Sequence, residues 1–368
     1  MQMKKIIFSD NTLWGLLNFR SGVINYFIKK EFEIVLVAPH DPLVDLSTIP
    51  EGAKYVQIEL RNISRNPFSD IRYFRTLKSI YRNENPDYIF HYTIKPNIYG
   101  TFAAHSLGIR SSSMVAGLGH IFSSNSVANL IARKMFKHAM RFSEYIFVLN
   151  QSNQDTLINR GVTEKEKIIW LEGGEGVNLE KFSMQENPNN EKVVFLMVTR
   201  LLFEKGYTEY VNAARKLKGI AEFRIMGPTY EHPSGVPFSK IKEDESSGAI
   251  KYIEYSPFVT DQMASADCIV LPSFYGEGLS RVLMEGLAMG KPIICTDIPG
   301  CRETVDDAVN GFLCLPRDLD SLIRACEKFI ALTTGERLEM GIESRKKAER
   351  IFDEKLVIKK YLSIIETN

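Results

Sequence analysis

The sequence lacks the features that mark secreted, membrane-spanning and nucleic-acid-binding proteins. Its five cysteines are odd in number, show no Cys-x-x-Cys spacing and lie in the second half of the chain, so we expect reduced thiols. Apolar runs stay well short of the roughly 20 residues needed to span a bilayer. The formal net charge of +1 does not favour the binding of nucleic acid, and no nucleic-acid recognition motif is present. We therefore expect a cytoplasmic protein.

The chain contains instead an alternation of short β-branched runs with longer amphipathic stretches. Its 368 residues are enough for two domains of roughly 150–200 residues each. Runs such as KIIF and IVLVA are continuously apolar, as in strands buried on both faces of a parallel sheet. The predicted strands of the first half are 5–8, 33–38, 55–58, 88–91, 113–116 and 145–149. Those of the second half are 193–198, 223–226, 250–253, 268–271, 292–296 and 311–315.

A glycine-rich segment at residues 171–182 and a polar segment at 183–190 separate the two alternations, and such composition is typical of a linker. We predict an α/β architecture with two Rossmann-like, doubly wound domains at residues 1–182 and 183–350. A C-terminal helix at 351–368 is predicted to return to the N-terminal domain. Ligands bind at the carboxyl ends of strands in such sheets, so the expected site is a central cleft that the two domains face.

The segment at residues 269–299 has the most informative chemistry. A predicted buried strand leads into a turn that exposes Glu277 between two glycines, and a helix is predicted to start near Leu279. Glu285 follows two turns later on nearly the same face of that helix. Because the first N–H groups of a helix have no intrahelical acceptor, an anion site is predicted at Gly278, Leu279 and Ser280.

A sugar nucleotide fits this layout, with its phosphates at the helix start, its hexose hydroxyls at Glu277 and its ribose hydroxyls at Glu285. The alternative is an ordinary strand, turn and helix with two solvated glutamates. The glycines on both sides of Glu277 and the downstream sequence AMGKPII favour the functional interpretation.

This segment resembles the donor site of the family 4 retaining glycosyltransferases, whose E-x7-E pattern matches Glu277 and Glu285. The family's strand-end arginine and following lysine match Arg200 and Lys205 in VTRLLFEKG, and a glycine that approaches the ligand matches Gly227 in FRIMGP. The resemblance covers nearly all of residues 192–361. It implies the GT-B fold and a cation pair that neutralises the diphosphate of the donor.

The first half resembles a subgroup of that family, the bacterial enzymes that extend undecaprenyl-diphosphate-linked saccharides for O-antigen, capsule or N-glycan assembly. The resemblance rests on Asn18-Phe19-Arg20, Asn66-Pro67, HYTIKPNIYG and Gly117-Leu118-Gly119. It implies an acceptor-binding N-terminal domain and a nucleotide-sugar-binding C-terminal domain. The implied donor is a UDP-linked N-acetylhexosamine or related hexose, which is a substrate, and no cofactor is implied.

Four residues of the first half are candidate ligand contacts. Gly15 is what remains of the family's double glycine in the first loop, next to the donor. Many family members place a histidine over the reacting sugar just after the fifth strand, where this chain has His120. His91, at the end of the fourth predicted strand, is expected to face the cleft, although a lone histidine is usually structural. Lys95 is a candidate for neutralising an acceptor phosphate.

Basic residues outnumber acidic ones twelve to three between positions 61 and 141. The predicted helix NLIARKMFKHAMR interleaves cations with apolar side chains, and such a helix can lie on anionic lipid. We therefore predict peripheral association with the inner face of the cytoplasmic membrane, where a lipid-linked acceptor would be found. A packed helix with a solvated basic face is the alternative. The cations are Arg133, Lys134, Lys137 and Arg141.

The predicted reaction transfers a hexose from a nucleoside diphosphate to a hydroxyl of the acceptor with retention. No Asp-x-Asp motif stands in a suitable loop, so the enzyme is predicted to act without a metal ion. Glu277 would orient the donor and support positive charge at the anomeric carbon. Two alternatives stay open: a GT-B nucleotide-sugar epimerase, which needs a further acid/base pair, and a non-catalytic sugar-nucleotide-binding protein.

Overall fold

The structure is a computed structural model that describes residues 4–42, 44–60, 67–117, 126–185, 188, 190–229, 232–254, 259–275 and 278–366. The chain forms two compact units, Met1–Glu175 with Glu354–Asn368, and Gly176–Asp353. The first boundary precedes the predicted one at 182 because Val177 and Phe182 pack in the core of the second unit. The second boundary follows the predicted one at 350 because Phe352 packs there too.

The first unit is built on a seven-stranded sheet in the order β3-β2-β1-β4-β5-β6-β7, and all of its strand pairs are parallel. The strands are β1 (Lys5–Ser9), β2 (Glu33–Ala38), β3 (Ala53–Gln57), β4 (Tyr88–Tyr92), β5 (Ser111–Val115), β6 (Ile146–Val148) and β7 (Ile168–Trp170). The helices between them are α1 (Leu13–Phe19), α2 (Ser21–Lys29), α3 (Pro67–Glu84), α4 (Thr101–His105), α5 (Val127–Met140) and α6 (Gln151–Asn159).

Helices cover both faces of this sheet because successive residues of a strand point to opposite sides. On β1, Ile6 and Phe8 pack with apolar residues of α1 and α2, whereas Ile7 packs with α3 and α4. On β5 and β6, Val115 and Ile146 pack with α5. A π-helical turn at Pro96–Gly100 lies between α3 and α5, and its Tyr99 packs against the apolar clusters of both. Helices α3, α4 and α5 therefore share one face of the sheet.

The second unit is built on a six-stranded parallel sheet in the order β10-β9-β8-β11-β12-β13. Its strands are β8 (Val194–Val198), β9 (Glu222–Met226), β10 (Lys251–Ile253), β11 (Cys268–Leu271), β12 (Ile293–Thr296) and β13 (Gly311–Cys314). Its helices are α7 (Tyr207–Lys216), α8 (Phe238–Ser246), α9 (Val259–Ala264), α10 (Arg281–Ala288), α11 (Leu319–Ala331) and α12 (Thr334–Lys347).

The last helix, α13 (Glu354–Glu366), packs on the sheet of the first unit. Its Tyr361 ring lies 4.8 Å from the ring centroids of Phe90 on β4 and Phe147 on β6, and its hydroxyl hydrogen-bonds the hydroxyl of Tyr92 at 3.1 Å. Within the described residues, no helix combines the length and the apolar character that crossing a membrane requires. All five cysteines are buried and free.

Candidate functional site

Arg200, Lys205 and the residues before α10, the predicted donor residues at strand ends of the second half, lie at the carboxyl edge of the second sheet, where β8 and β11 are neighbours. Arg200 follows β8, and Lys205 ends a 3-10 turn at Phe203–Lys205. The loop after β11 is bonded to this turn: the Phe274 N–H donates to the Glu204 carbonyl at 3.0 Å. Two segments far apart in sequence are therefore brought together beside the start of α10.

Two glycines permit this close approach of backbone segments. A Cβ atom at Gly206 would lie 2.1 Å from the Pro272 carbonyl oxygen, and one at Gly227 would lie 1.8 Å from the Thr199 carbonyl oxygen. Gly206 also has φ 83°, a left-handed conformation that glycine adopts without strain. Gly227 thus brings the end of β9 against the end of β8, and its predicted approach to the ligand stays a prediction.

Lys205 is a buried cation at this edge. Its residue is only 6% exposed, and its Nζ lies 5.3 Å from the centroid of the Tyr275 ring in the loop after β11. Arg200, by contrast, is exposed. A cation that the fold holds next to the predicted diphosphate position is preorganised to stabilise a developing negative charge.

The start of α10 differs from the prediction. The helix begins at Arg281 with Ser280 as its N-cap, and the Ser280 N–H donates to the Gly300 carbonyl at 2.7 Å. The predicted role of the Ser280 amide in binding an anion is therefore wrong, since that amide already has an acceptor. The Gly300 N–H in turn donates to the Glu303 carboxylate at 2.7 Å. Residues 300–303 therefore hold the start of α10 in place through the bond between Ser280 and Gly300.

The N–H groups that could bind an anion at this helix start are therefore those of the first turn, which begins at Arg281. The Ser280 side chain makes no cap hydrogen bond, and the first N–H groups of a helix have no intrahelical acceptor. Leu279 packs with its side chain against the core of the second unit, and Gly278 lies in the turn before the helix. Both residues remain next to the predicted phosphate position.

Glu285 is a partly buried carboxylate on α10, with a side chain that is 15% exposed. Arg281 lies one turn earlier and its Nε donates to Glu285 Oε1 at 2.9 Å. Burial raises the pKa of Glu285 above its ordinary value of 4.5, although Arg281 and Lys181 act in the opposite direction. The sequence pattern does not indicate this ion pair as part of the site.

The raised pKa of Glu285 predicts opposite pH dependences for folding and for donor binding. The folded chain binds this proton more tightly, so the contribution of Glu285 to stability declines as pH rises from 4.5 through its raised pKa. Donor hydroxyls need the carboxylate as acceptor, so donor affinity should rise over the same window. Calorimetric titrations with UDP at several pH values test this, and Glu285→Gln should remove the pH dependence. Equal slopes in both proteins would contradict the assignment.

His91 does not face solvent. Strand β4 extends to Tyr92, one residue beyond the prediction, and His91 points into the face covered by α3 and α4, where it is fully buried. Its Nε2 lies 3.1 Å from the Tyr81 hydroxyl and its Nδ1 lies 3.3 Å from the Thr101 hydroxyl. Burial lowers the pKa of His91 to about 3, so its ring stays neutral. The expected ligand contact of His91 is wrong.

Gly15 is likewise buried within the first unit. Its N–H donates to the N-cap hydroxyl of Thr12 at 2.9 Å, so that amide is not available to the donor. A Cβ atom here would lie 2.9 Å from the Thr12 hydroxyl and 3.0 Å from the Asp10 carboxylate, so a larger residue would force these side chains to shift. The structure therefore gives Gly15 a packing role in place of the predicted donor contact.

The arginine of the Asn18-Phe19-Arg20 motif lies in a buried ionic cluster. The Arg20 guanidinium lies 2.8 Å from the Glu175 carboxylate, 3.9 Å from the Asp10 carboxylate and 4.3 Å from the centroid of the Tyr92 ring. Burial raises the pKa of Asp10 despite the nearby arginine. Arg20 thus fixes the end of the first unit at Glu175, a role that the motif alone does not indicate.

Two predicted catalytic residues, Glu277 and His120, lie outside the described residues, and their roles stay predictions. Among the described residues, no group of three or more His, Cys, Asp or Glu side chains is placed to hold a metal ion.

Comparison with known proteins identifies both halves of the chain. The family model described as "Glycosyl transferase 4-like" matches residues 5–150, and the one described as "Glycosyl transferases group 1" matches residues 179–347. The chain belongs to the family 4 glycosyltransferases. The predicted family is thereby confirmed.

The names of two relatives of this glycosyltransferase describe enzymes that act on undecaprenol-linked saccharides. One is the N,N'-diacetylbacillosaminyl-diphospho-undecaprenol alpha-1,3-N-acetylgalactosaminyltransferase of Campylobacter jejuni, which is 27% identical over 96% of each chain. The other is the UDP-Gal:alpha-D-GlcNAc-diphosphoundecaprenol alpha-1,3-galactosyltransferase of Escherichia coli. It is 24% identical over 80% of this chain and 79% of the relative.

Solved structures share the fold at low sequence identity. A glycosyltransferase from Rickettsia africae superposes with a TM-score of 0.80 at 19% identity, covering 99% of this chain and 98% of that one. HepE of Anabaena in complex with UDP superposes with a TM-score of 0.79 at 16% identity over 100% of both chains. The predicted fold class, GT-B with two α/β domains, is confirmed.

The predicted acceptor-side lysine of the glycosyltransferase, Lys95, lies in an ion pair. Its Nζ is 3.0 Å from Asp70 Oδ1 on α3, and the Tyr99 hydroxyl donates to Asp70 Oδ2 at 2.9 Å. Both charged side chains are about four-fifths buried. An acceptor phosphate would therefore have to compete with Asp70 for this cation.

Helix α5 presents one exposed stripe. Its N-terminal part is apolar, with Val127, Leu130 and Ile131 exposed by 74%, 45% and 55%. Its C-terminal part is cationic, with Lys134 and Arg141 exposed and Arg133 and Lys137 half-buried. Of the apolar residues predicted to interleave with these cations, Phe136 and Met140 are buried in the core.

Proposed function

We propose that this glycosyltransferase moves a hexose, an N-acetylhexosamine or a related sugar, from a UDP-sugar to a hydroxyl of a lipid-linked saccharide, with retention and without a metal ion. The observation that carries the proposal is the buried Lys205 beside the loop that leads to Glu277 and to the start of α10. A cation and helix-start amides on two neighbouring strand ends suit a diphosphate leaving group.

The relatives support this choice of substrates. One is named as acting on a diphospho-undecaprenol saccharide, and another is named with UDP-Gal as donor and a diphosphoundecaprenol-linked acceptor. A structural neighbour was solved in complex with UDP. We infer a role in the assembly of a bacterial surface polysaccharide or glycan.

The proposed transfer breaks the bond between the anomeric carbon and the diphosphate and forms a bond from that carbon to the acceptor oxygen on the same face. The leaving phosphate takes the proton of the acceptor hydroxyl. Lys205, Arg200 and the first-turn amides of α10 stabilise the negative charge that develops on the diphosphate. Glu277 orients the sugar and supports the positive charge on its anomeric carbon, and Glu285 accepts hydrogen bonds from the ribose.

A transfer assay tests this proposal. The purified chain is incubated with a panel of UDP-sugars and a lipid-diphosphate-linked saccharide, with and without a chelator. We expect one or a few donors to yield a longer lipid-linked saccharide at a rate that the chelator leaves unchanged. Release of a free sugar-nucleotide isomer would indicate an epimerase. Tight donor binding with neither transfer nor hydrolysis would indicate a non-catalytic protein.

A membrane surface is the proposed second partner. The exposed stripe of α5 combines apolar side chains with cations, which is the pattern of a helix that lies in a lipid headgroup region. On α3, which covers the same face of the first sheet, Phe68 is 81% exposed, close to Ile71, Arg72 and Arg75. We infer that this face binds the inner, anionic surface of the cytoplasmic membrane.

Charge reversal on α5 tests the membrane proposal. Each cation near an anionic surface contributes about 1 kcal/mol, so Lys134→Glu with Lys137→Glu should weaken binding to vesicles with anionic lipid by about 100-fold or more. Vesicle co-sedimentation at low and high salt measures this. Lys29→Glu with Lys30→Glu on α2, which covers the opposite face, is the matched control and should bind nearly as well as wild type. Equal losses in the two double variants would contradict the proposed surface.

A further inference from the structure

A second cation contacts the loop that leads to Glu277. The Arg317 guanidinium lies 4.3 Å from the centroid of the Phe274 ring, a cation–π distance. Phe274 lies on the loop after β11, shortly before Glu277, whereas Arg317 lies on the connection between β13 and α11. The contact therefore joins the outer edge of the second sheet to the predicted donor loop.

The backbone at Arg317 is strained. Its φ of 59° lies in the left-handed region, where a side chain other than glycine costs free energy. The residue is exposed, and the following Asp318 already caps α11 by accepting the Ser321 N–H. Glycine would adopt this conformation at a lower free-energy cost, so the arginine backbone is less stable here than a glycine backbone would be.

The loop contacted by Arg317 is held on its other side as well. The Phe274 N–H donates to the backbone carbonyl of Glu204. The ring of the following residue, Tyr275, contacts the Lys205 ammonium group. The Thr296 hydroxyl at the end of β12 donates to the Ser273 carbonyl. Glu204 and Lys205 follow β8, Thr296 ends β12 and Arg317 follows β13, so the loop after β11 is contacted from three strand ends along the sheet edge.

We propose that Arg317 is a positioning residue, which holds Phe274 and thereby fixes residues 272–275, the described part of the loop that leads towards Glu277. This inference rests on the proposed function for its effect on turnover. This role acts through Phe274 and requires no contact between Arg317 and the donor. Loss of the side chain releases the loop, and small displacements of a reacting group reduce the rate of the chemical step steeply.

Arg317→Gly separates this role from a structural one. Glycine relieves the left-handed strain, so the melting temperature should stay the same or rise, while kcat falls about tenfold and the KM for the donor changes less. Hydrogen exchange of the peptide over 272–280 should become faster. Phe274→Leu should give the same kinetic defect, the double variant should add little to it, and Arg317→Lys should retain part of the activity.

Glu31→Gly is the matched control, because Glu31 is exposed on the other unit and has φ 63°. It should raise stability without altering kcat or exchange at 272–280. Unchanged kcat and exchange in Arg317→Gly, or parallel losses of stability and activity, would overturn the positioning role. Faster exchange in Arg317→Gly, with a wild-type chain that transfers no sugar, would support the loop contact and refute the proposed function.

Discussion

Replacement of Lys205 by alanine should lower kcat by about 10²–10³-fold, the range typical for loss of one preorganised group that stabilises a developing anion. Lys205 is buried, and its position beside Tyr275 is fixed by a turn bonded to the loop after β11. Its charge would act mainly as the diphosphate departs, so kcat should fall more than the KM for the donor rises. Steady-state kinetics with a saturating acceptor measure both constants.

Two controls separate charge from packing in this experiment. Lys205→Met keeps an apolar side chain against Tyr275 and removes only the cation, so it should lose as much activity as Lys205→Ala with a smaller loss of thermal stability. Lys346→Ala removes an exposed lysine that pairs with Glu343 on α12, and its kcat should stay within about twofold of wild type. Full activity in Lys205→Met would contradict the proposed role.

Replacement of Glu277 by glutamine should lower kcat by about 10³-fold and leave the dissociation constant of the UDP-sugar nearly unchanged. Glutamine keeps the shape of the side chain but not the negative charge that would support the anomeric carbon in the transition state. Glu285→Gln should do the reverse, because it loses a charged hydrogen bond to the ribose. The dissociation constant should rise by about tenfold with a smaller change in kcat. Calorimetry and single-turnover rates separate the two effects.

Two results would contradict the separate roles proposed for Glu277 and Glu285. Comparable losses of donor affinity in Glu277→Gln and Glu285→Gln would place both carboxylates in ground-state binding. A wild-type rate in Glu277→Gln would remove this residue from the reaction altogether.

The buried strands are the part of the fold that the sequence predicts best. Strands β2 and β11 have the predicted bounds, 33–38 and 268–271, because a strand buried on both faces is a continuous apolar run. Strand β7 is absent from the prediction although Ile168–Trp170 is apolar, because this edge strand has only three residues and directly precedes the glycine-rich segment that is predicted as a linker. The prediction that the C-terminal helix returns to the first domain agrees with the packing of Tyr361 in the core of the first unit, a contact that no local pattern contains.

The errors at the site come from contacts between residues distant in sequence. The Ser280 amide is predicted to bind an anion from the helix-start pattern, but its acceptor, Gly300, belongs to the connection after β12. His91 ends the predicted strand, yet the strand continues for one residue and the side chain faces the core. The partners of the His91 ring, Tyr81 and Thr101, lie on the helices that flank β4, and no local pattern shows that these helices cover the side of the strand to which His91 points.

The contact between Arg317 and Phe274 is another feature that the sequence does not predict. No motif marks this residue, and its contact with Phe274 depends on the order of β11, β12 and β13 in the sheet together with a left-handed backbone. A sequence pattern predicts which residues lie at strand ends, whereas the sheet order determines which strand ends are neighbours.

The anomeric configuration of the product tests the central claim most directly. The wild-type chain is incubated with its UDP-sugar and a lipid-diphosphate-linked acceptor, and the new glycosidic linkage is examined by proton NMR before any later reaction. We predict that the transferred sugar keeps the anomeric configuration that it has in the UDP-sugar. An inverted linkage would contradict the assignment of this chain as a retaining, UDP-sugar-dependent glycosyltransferase.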